Sequence, residues 1–107
     1  MAMGSYKLGA TVRVPLIILD SGIAFTDSVD PKIKEIIRPN NTVESGFPAS
    51  MHTANEEYGT YYYDYKPDLA GDYIVIICYT VSDQEYTLIE NFTVNPASML
   101  IPRAEAR

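Results

Sequence analysis

From Asp72 to Val81 the chain alternates without a break, Tyr73, Val75, Ile77, Tyr79 and Val81 on one parity and Ile74, Ile76, Cys78 and Thr80 on the other. Successive side chains of an extended chain point to opposite faces, so this segment predicts a strand. Both faces are largely apolar, which places the strand in the middle of a sheet. Ser82-Asp83-Gln84 is a short polar connection, after which Leu88, Phe92 and Val94 alternate with Thr87, Ile89, Asn91 and Thr93. Two such runs joined so closely predict an antiparallel hairpin.

The same period appears earlier. Between Thr11 and Leu19, Val12, Val14, Leu16 and Ile18 share one face, and Arg13, Pro15 and Ile17 share the other. Pro15 cannot donate a ladder hydrogen bond, so this strand lies at an edge or breaks in two there. Asp20-Ser21-Gly22 reads as a turn. Asp30-Pro31 followed by Ile33, Ile36 and Ile37 suits a capped short helix as well as a strand. The following Arg38-Pro39-Asn40-Asn41-Thr42, with Pro and paired Asn, suits a turn between antiparallel strands and tips the reading to a strand. Gly46 to Tyr58 is polar and irregular, with one brief strand around Met51 to Thr53. From Thr60 onward Tyr61, Tyr63 and Tyr65 share one face, opposite Tyr62 and Asp64, and Lys66 to Gly71 forms a corner.

Short strands with turn signals between them, in a chain of 107 residues, predict one all-β domain with a single core. The expected layout is an antiparallel β-sandwich of about seven strands over residues 9–95. Residues 1–8 and 96–107 fall outside the alternation and read as extended terminal arms.

Charge and cysteine content narrow the function. A net charge of −6 with no Lys/Arg cluster repels phosphate backbones, so no nucleic-acid partner is expected. The longest apolar runs, Val14 to Leu19 and Tyr73 to Tyr79, are too short to span a bilayer, and no membrane partner is expected. The start, Met1 to Lys7, lacks a charged segment followed by an apolar one, so the expectation is a chain kept inside the cell. Cys78 is the one cysteine; it can form no internal disulfide and reads as a small buried hydrophobe.

The segment Gly59-Thr60-Tyr61-Tyr62-Tyr63-Asp64-Tyr65-Lys66-Pro67, followed by Leu69-Ala70-Gly71-Asp72-Tyr73-Ile74-Val75, resembles the C-terminal half of immunoglobulin-like domains of bacteria and phages. The likeness covers about forty residues well and the first half loosely. It implies an immunoglobulin-like sandwich in which Tyr73 is the structural tyrosine-corner residue, its ring in the core and its hydroxyl returning to nearby backbone. Val75 stands where antibody domains carry their second cysteine, and the chain has no tryptophan. The resemblance therefore concerns architecture and implies no activity.

No catalytic, cofactor or metal site is expected. His52 is the one histidine, lies in a polar stretch, and has no nucleophile at a telling spacing. Asp64, Asp68 and Asp72, and earlier Asp20, Asp27 and Asp30, gather near turns; loop carboxylates can bind calcium, but this spacing reads as solvated charge. Asn40-Asn41-Thr42 and Asn91-Phe92-Thr93 match the glycosylation pattern, which recurs by chance.

The candidate interaction residues are aromatic and apolar. Eight of the nine tyrosines lie between Tyr58 and Tyr86, and Tyr61, Tyr62, Tyr63 and Tyr65 either present an aromatic face or fill half-buried strand positions. Met99-Leu100-Ile101 is an apolar trio beyond the last strand that packs on its own domain or docks on a neighbour. The expectation is a structural protein of a virus or phage particle (capsid decoration, neck or tail accessory) whose partners are other virion proteins and copies of itself. A cell-surface adhesin or carbohydrate-binding module with a tyrosine-rich face is the second reading.

Overall fold

The alternating segment becomes β9, Gly71–Val81, and it occupies the centre of a five-stranded sheet ordered β1-β10-β9-β5-β6. A computed structural model of the chain describes residues 2–20, 23–24, 30–55, 59–81 and 83–96. Its strands are β1 (Ala2–Lys7), β2 (Val12–Ile17), β3 (Leu19–Asp20), β4 (Ile23–Ala24), β5 (Lys32–Ile37), β6 (Ala49–Ser50), β7 (His52–Asn55), β8 (Thr60–Tyr65), β9 and β10 (Gln84–Asn95). A three-stranded sheet runs β2-β8-β7, and β3 and β4 pair separately. The turn expected at Asp20–Gly22 lies in part outside the described residues.

The predicted hairpin forms in full register, from Gln84↔Val81 to Val94↔Gly71. Pro15 sits on β2, an edge strand, where its missing N–H costs no ladder bond. With β2, β8 and β7 facing β10, β9 and β5, the strand order is that of an immunoglobulin-like sandwich. The fold is all-β, as the alternation predicts.

Alternate side chains of both sheets fill one core. Val12, Val14 and Leu16 enter it from β2, Ile33 and Ile36 from β5, Tyr73, Val75 and Ile77 from β9, and Phe92 and Val94 from β10. Each fully buried side chain of this kind contributes roughly 1.5–3 kcal/mol of transfer free energy. Aromatic rings span the sheets: Tyr73 stacks on Phe92 with centroids 4.9 Å apart and planes 5° from parallel, and Tyr65 meets Tyr73 edge-on at 5.9 Å.

Tyr73 itself is fully buried, and its hydroxyl reaches the backbone of Leu69, as the tyrosine-corner resemblance implies. Gly71 allows that corner to close. Its φ is +129°, and a Cβ there would lie 2.7 Å from the Cβ of Pro39. Cys78 is buried, as expected of a lone hydrophobic cysteine.

The N-terminal segment departs from expectation. Residues 1–8 were expected as an arm, yet Ala2–Lys7 is β1, paired with β10 in parallel and so breaking an otherwise antiparallel arrangement. Register slips between Ala2 and Ser5, at Gly4 with its φ of +114°. The slip lets Met3 and Tyr6, three residues apart, both pack against the core, with Tyr6 edge-on to Phe92 at 5.8 Å. A parallel strand held by this packing is invisible to a period-two reading. Residues 97–107, including Met99, Leu100 and Ile101, lie outside the described residues.

Candidate interaction faces

Each sheet turns one face to solvent, and the two faces differ in chemistry. On the three-stranded sheet the cross-strand pairs Arg13↔Asp64, Pro15↔Tyr62 and His52↔Tyr62 put these side chains on the outer face. The Arg13 guanidinium lies 4.1 Å above the centre of the Tyr62 ring. It also donates from Nε and a terminal nitrogen to the two oxygens of Asp64, at 2.8 and 2.9 Å. Those hydrogen bonds hold the Asp64 carboxyl below the ordinary aspartate range. His52 lies on the far side of Tyr62, with ring centroids 5.2 Å apart. The result is a polar and aromatic row with its charges already paired.

The tyrosines divide by parity. Tyr61, Tyr63 and Tyr65 pair with Leu16, Val14 and Val12 and face the core, Tyr65 buried and the other two half-buried. Tyr62 alone of the four looks outward. The flat tyrosine face is thus reduced to one ring with Arg13 over it, while strand positions next to the core hold the rest.

Acidic side chains near the corners are similarly separated. Asp68 accepts from Arg38 at 2.9 and 3.0 Å, Asp72 accepts from the Thr93 hydroxyl at 2.7 Å, and Asp64 is held by Arg13. Among the described residues, no three His, Cys, Asp or Glu side chains gather closely enough to hold a metal ion. Arg38 also lies 3.8 Å from Glu44, whose carboxylate accepts a 2.6 Å hydrogen bond from the Tyr65 hydroxyl. Burial, and then Glu44, push the Tyr65 phenol well above its usual range. This network ties the corner after β8 to the turn after β5. At Cys78 burial raises the thiol, which keeps it protonated and a poor nucleophile at neutral pH.

The outer face of the five-stranded sheet is apolar at its centre. Ile37 pairs with Ile74, Ile76 pairs with Ile89, and Val43 bridges to Ile37 from the far side. Paired residues share a face, as do Ile74 and Ile76 two apart, so five β-branched side chains form one patch across three strands. Ile74 is 40% exposed, and Val43 and Ile89 are each 56% exposed. In sequence these residues read as strand formers, because only the pairing register shows that they meet on the solvent side.

Compared with models of protein families, with curated proteins and with solved structures, the chain has no significant match. Its role has to be read from its own residues. No helix among the described residues is long and apolar enough to cross a membrane.

Proposed function

We propose that the chain is a non-enzymatic structural protein of a virus or phage particle, a capsid decoration, neck or tail accessory component of the immunoglobulin-like type seen in phage virion proteins. It acts through protein–protein contacts, with other virion proteins and copies of itself as partners, and is located in the virion. The observation that carries this reading is the Ile37–Ile74–Ile76–Ile89 patch. A flat apolar surface on a rigid sheet suits another protein surface, whereas small-molecule chemistry needs a concave site with convergent polar groups. The net charge of −6 favours protein contacts over nucleic acid. Mass spectrometry of particles purified from the source tests the proposal. Chain present at a fixed ratio to the major capsid protein is the expected result, and particles free of it end the reading.

The second reading is a cell-surface adhesin or carbohydrate-binding module. Its support is the outward pair Tyr62 and His52, since sugars stack on such rings. Arg13 already covers one face of Tyr62, which leaves little platform for a pyranose. Binding on a glycan array that is lost in Tyr62→Ala would favour this reading over the first.

A further inference from the structure

We infer that the outer edge of β10, from Gln84 to Leu88, pairs antiparallel with the same edge of a second copy of this chain, about a two-fold axis at Tyr86. The inference rests on the reading of the chain as a protein-binding module and does not depend on where in the cell or particle it works.

β10 outlasts one of its neighbours. β9 pairs with it from Val94 back to Gln84, whereas β1 pairs with it only from Asn95 back to Asn91. The Leu8 N–H bonds to the Asn95 carbonyl at 2.9 Å, so the odd-numbered residues of β10 turn their backbone groups toward the β1 side. The even-numbered ones bond to β9, in a register that runs without a slip. Past the start of β1, the N–H and C=O of Glu85 and Thr87 therefore point out of the sheet, with no strand beside them among the described residues. Gln84, Glu85, Tyr86 and Thr87 are all exposed. An extended, exposed edge of this kind is a template for another strand.

The other edges are blunted. On β2 the Ile18 N–H bonds to Gly59, so the odd positions face the open side, and Pro15 leaves a gap there in the row of donors. β1 slips at Gly4, and β7 slips between Thr53 and Asn55. β6 is two residues long, and beyond it the Glu44 N–H closes the edge of β5 on the Ile36 carbonyl.

Register singles out the partner. Against an antiparallel copy, only odd-numbered residues can exchange hydrogen bonds across the seam. Centring the pair on residue 85 sets Glu85 against Glu85, and like charges directly opposed repel. Centring it on residue 87 brings the second copy's Asp83, where the hairpin turns at a φ of +65°, level with Asn91, a place that Ala2 already holds. Centring it on Tyr86 does neither. Glu85 then exchanges both hydrogen bonds with the second copy's Thr87, Gln84 lies opposite Leu88, and the second copy's turn stops level with Ile89, short of Ala2. Tyr86 comes to lie opposite Tyr86. It is 46% exposed and already stacks on Tyr79 at 5.4 Å with planes 21° apart, so the seam continues this pair into one row of tyrosines across both copies. A strand of another sequence would take the backbone groups without extending that row.

The test is sedimentation velocity of the full chain over a concentration series. A reversible and weak dimer is expected, because two strand edges bury little area. Thr87→Pro removes an N–H that β9 does not use and should abolish the dimer. Tyr86→Lys and Tyr86→Asp each set like charges across the axis and should weaken it about 10-fold or more. An equimolar mixture of the two should form a one-to-one complex that neither forms alone. In a Cys78→Ser background, Tyr86→Cys should cross-link two copies under mild oxidation far faster than Gln84→Cys or Leu88→Cys, since only residue 86 faces itself. If Thr87→Pro loses its β-sheet circular dichroism, the Tyr86 mixture, which leaves the backbone intact, carries the test.

A full chain that stays monomeric up to its solubility limit overturns the inference. So does a dimer that a folded Thr87→Pro leaves intact, which would put the contact on another surface such as the isoleucine face. A Lys and Asp mixture that forms no complex, or cross-linking fastest through residue 84 or 88, overturns it as well. Particles lacking the chain would remove the virion reading and leave this pairing standing, while a monomeric chain found in particles would do the reverse.

Discussion

The hydroxyl of Tyr73 lies 3.0 Å from both polar groups of the Leu69 backbone, accepting from its N–H and donating to its carbonyl. One side chain thereby closes the corner between β8 and β9 and, through its ring, anchors the stack with Phe92 and Tyr65.

Tyr73→Phe keeps the ring and removes both bonds, leaving two backbone groups of Leu69 without their partner. The expected loss is about 2 kcal/mol of unfolding free energy with an unchanged circular dichroism spectrum. Urea denaturation of the two proteins side by side checks it, and equal midpoints would count against the corner as a stabilising element.

Gly71→Ala introduces a methyl group toward Pro39 and a side chain at a φ of +129°. Strain and overpacking together should cost roughly 2–4 kcal/mol. Adding Pro39→Gly removes both atoms that the new methyl group would meet and leaves the backbone strain at position 71, so, measured against Pro39→Gly alone, the double variant should show a smaller loss in thermal melts.

The Asp64 carboxyl, held low by Arg13, titrates below the ordinary aspartate value of about 4. Its folded-state pKa is depressed, so the associated stability is present above that ordinary value and is lost as pH falls through the depressed one. Carboxyl NMR titration should show this low value for Asp64, and Arg13→Gln should return it to the normal range. The pair is exposed, so added salt should also raise the Asp64 pKa.

Tyr65 should behave in the opposite sense at high pH. Its folded-state pKa is raised, so the stability linked to it is complete below the ordinary tyrosine value of about 10 and declines as pH rises above it, where the unfolded chain ionises and the folded one resists. Phenolate absorbance should show Tyr65 ionising only with alkaline unfolding. In Tyr65→Phe the decline in stability above pH about 10 should be shallower.

Where burial follows parity, the elements can be read from residues alone. Asp72–Ile77, Leu88–Val94, Val12–Ile17 and the Tyr61/Tyr63/Tyr65 face all follow it, and each strand stands where alternation puts it. Ambiguity arises where the register slips. Ile33 and Ile36 are both buried although three residues apart, because β5 slips against β9 between Ile33 and Glu35, and that spacing mimics a helix. Met3 and Tyr6 do the same around Gly4, which hid β1 altogether.

The sequence by itself determined the β class and the central hairpin and narrowed the strand bearing Pro15 to an edge or a break, since each depends on contacts or conformations encoded within a few residues, while the corner role of Tyr73 was implied by the resemblance of its segment to immunoglobulin-like domains. Tertiary structure alone decided that Ile37, Ile74, Ile76 and Ile89 gather on one solvent face, that Arg13 joins Tyr62 and Asp64, and that the N-terminus pairs in parallel with β10. Those relations arise from register between strands far apart in the chain, and alternation fixes which side a residue faces without fixing which neighbour it meets.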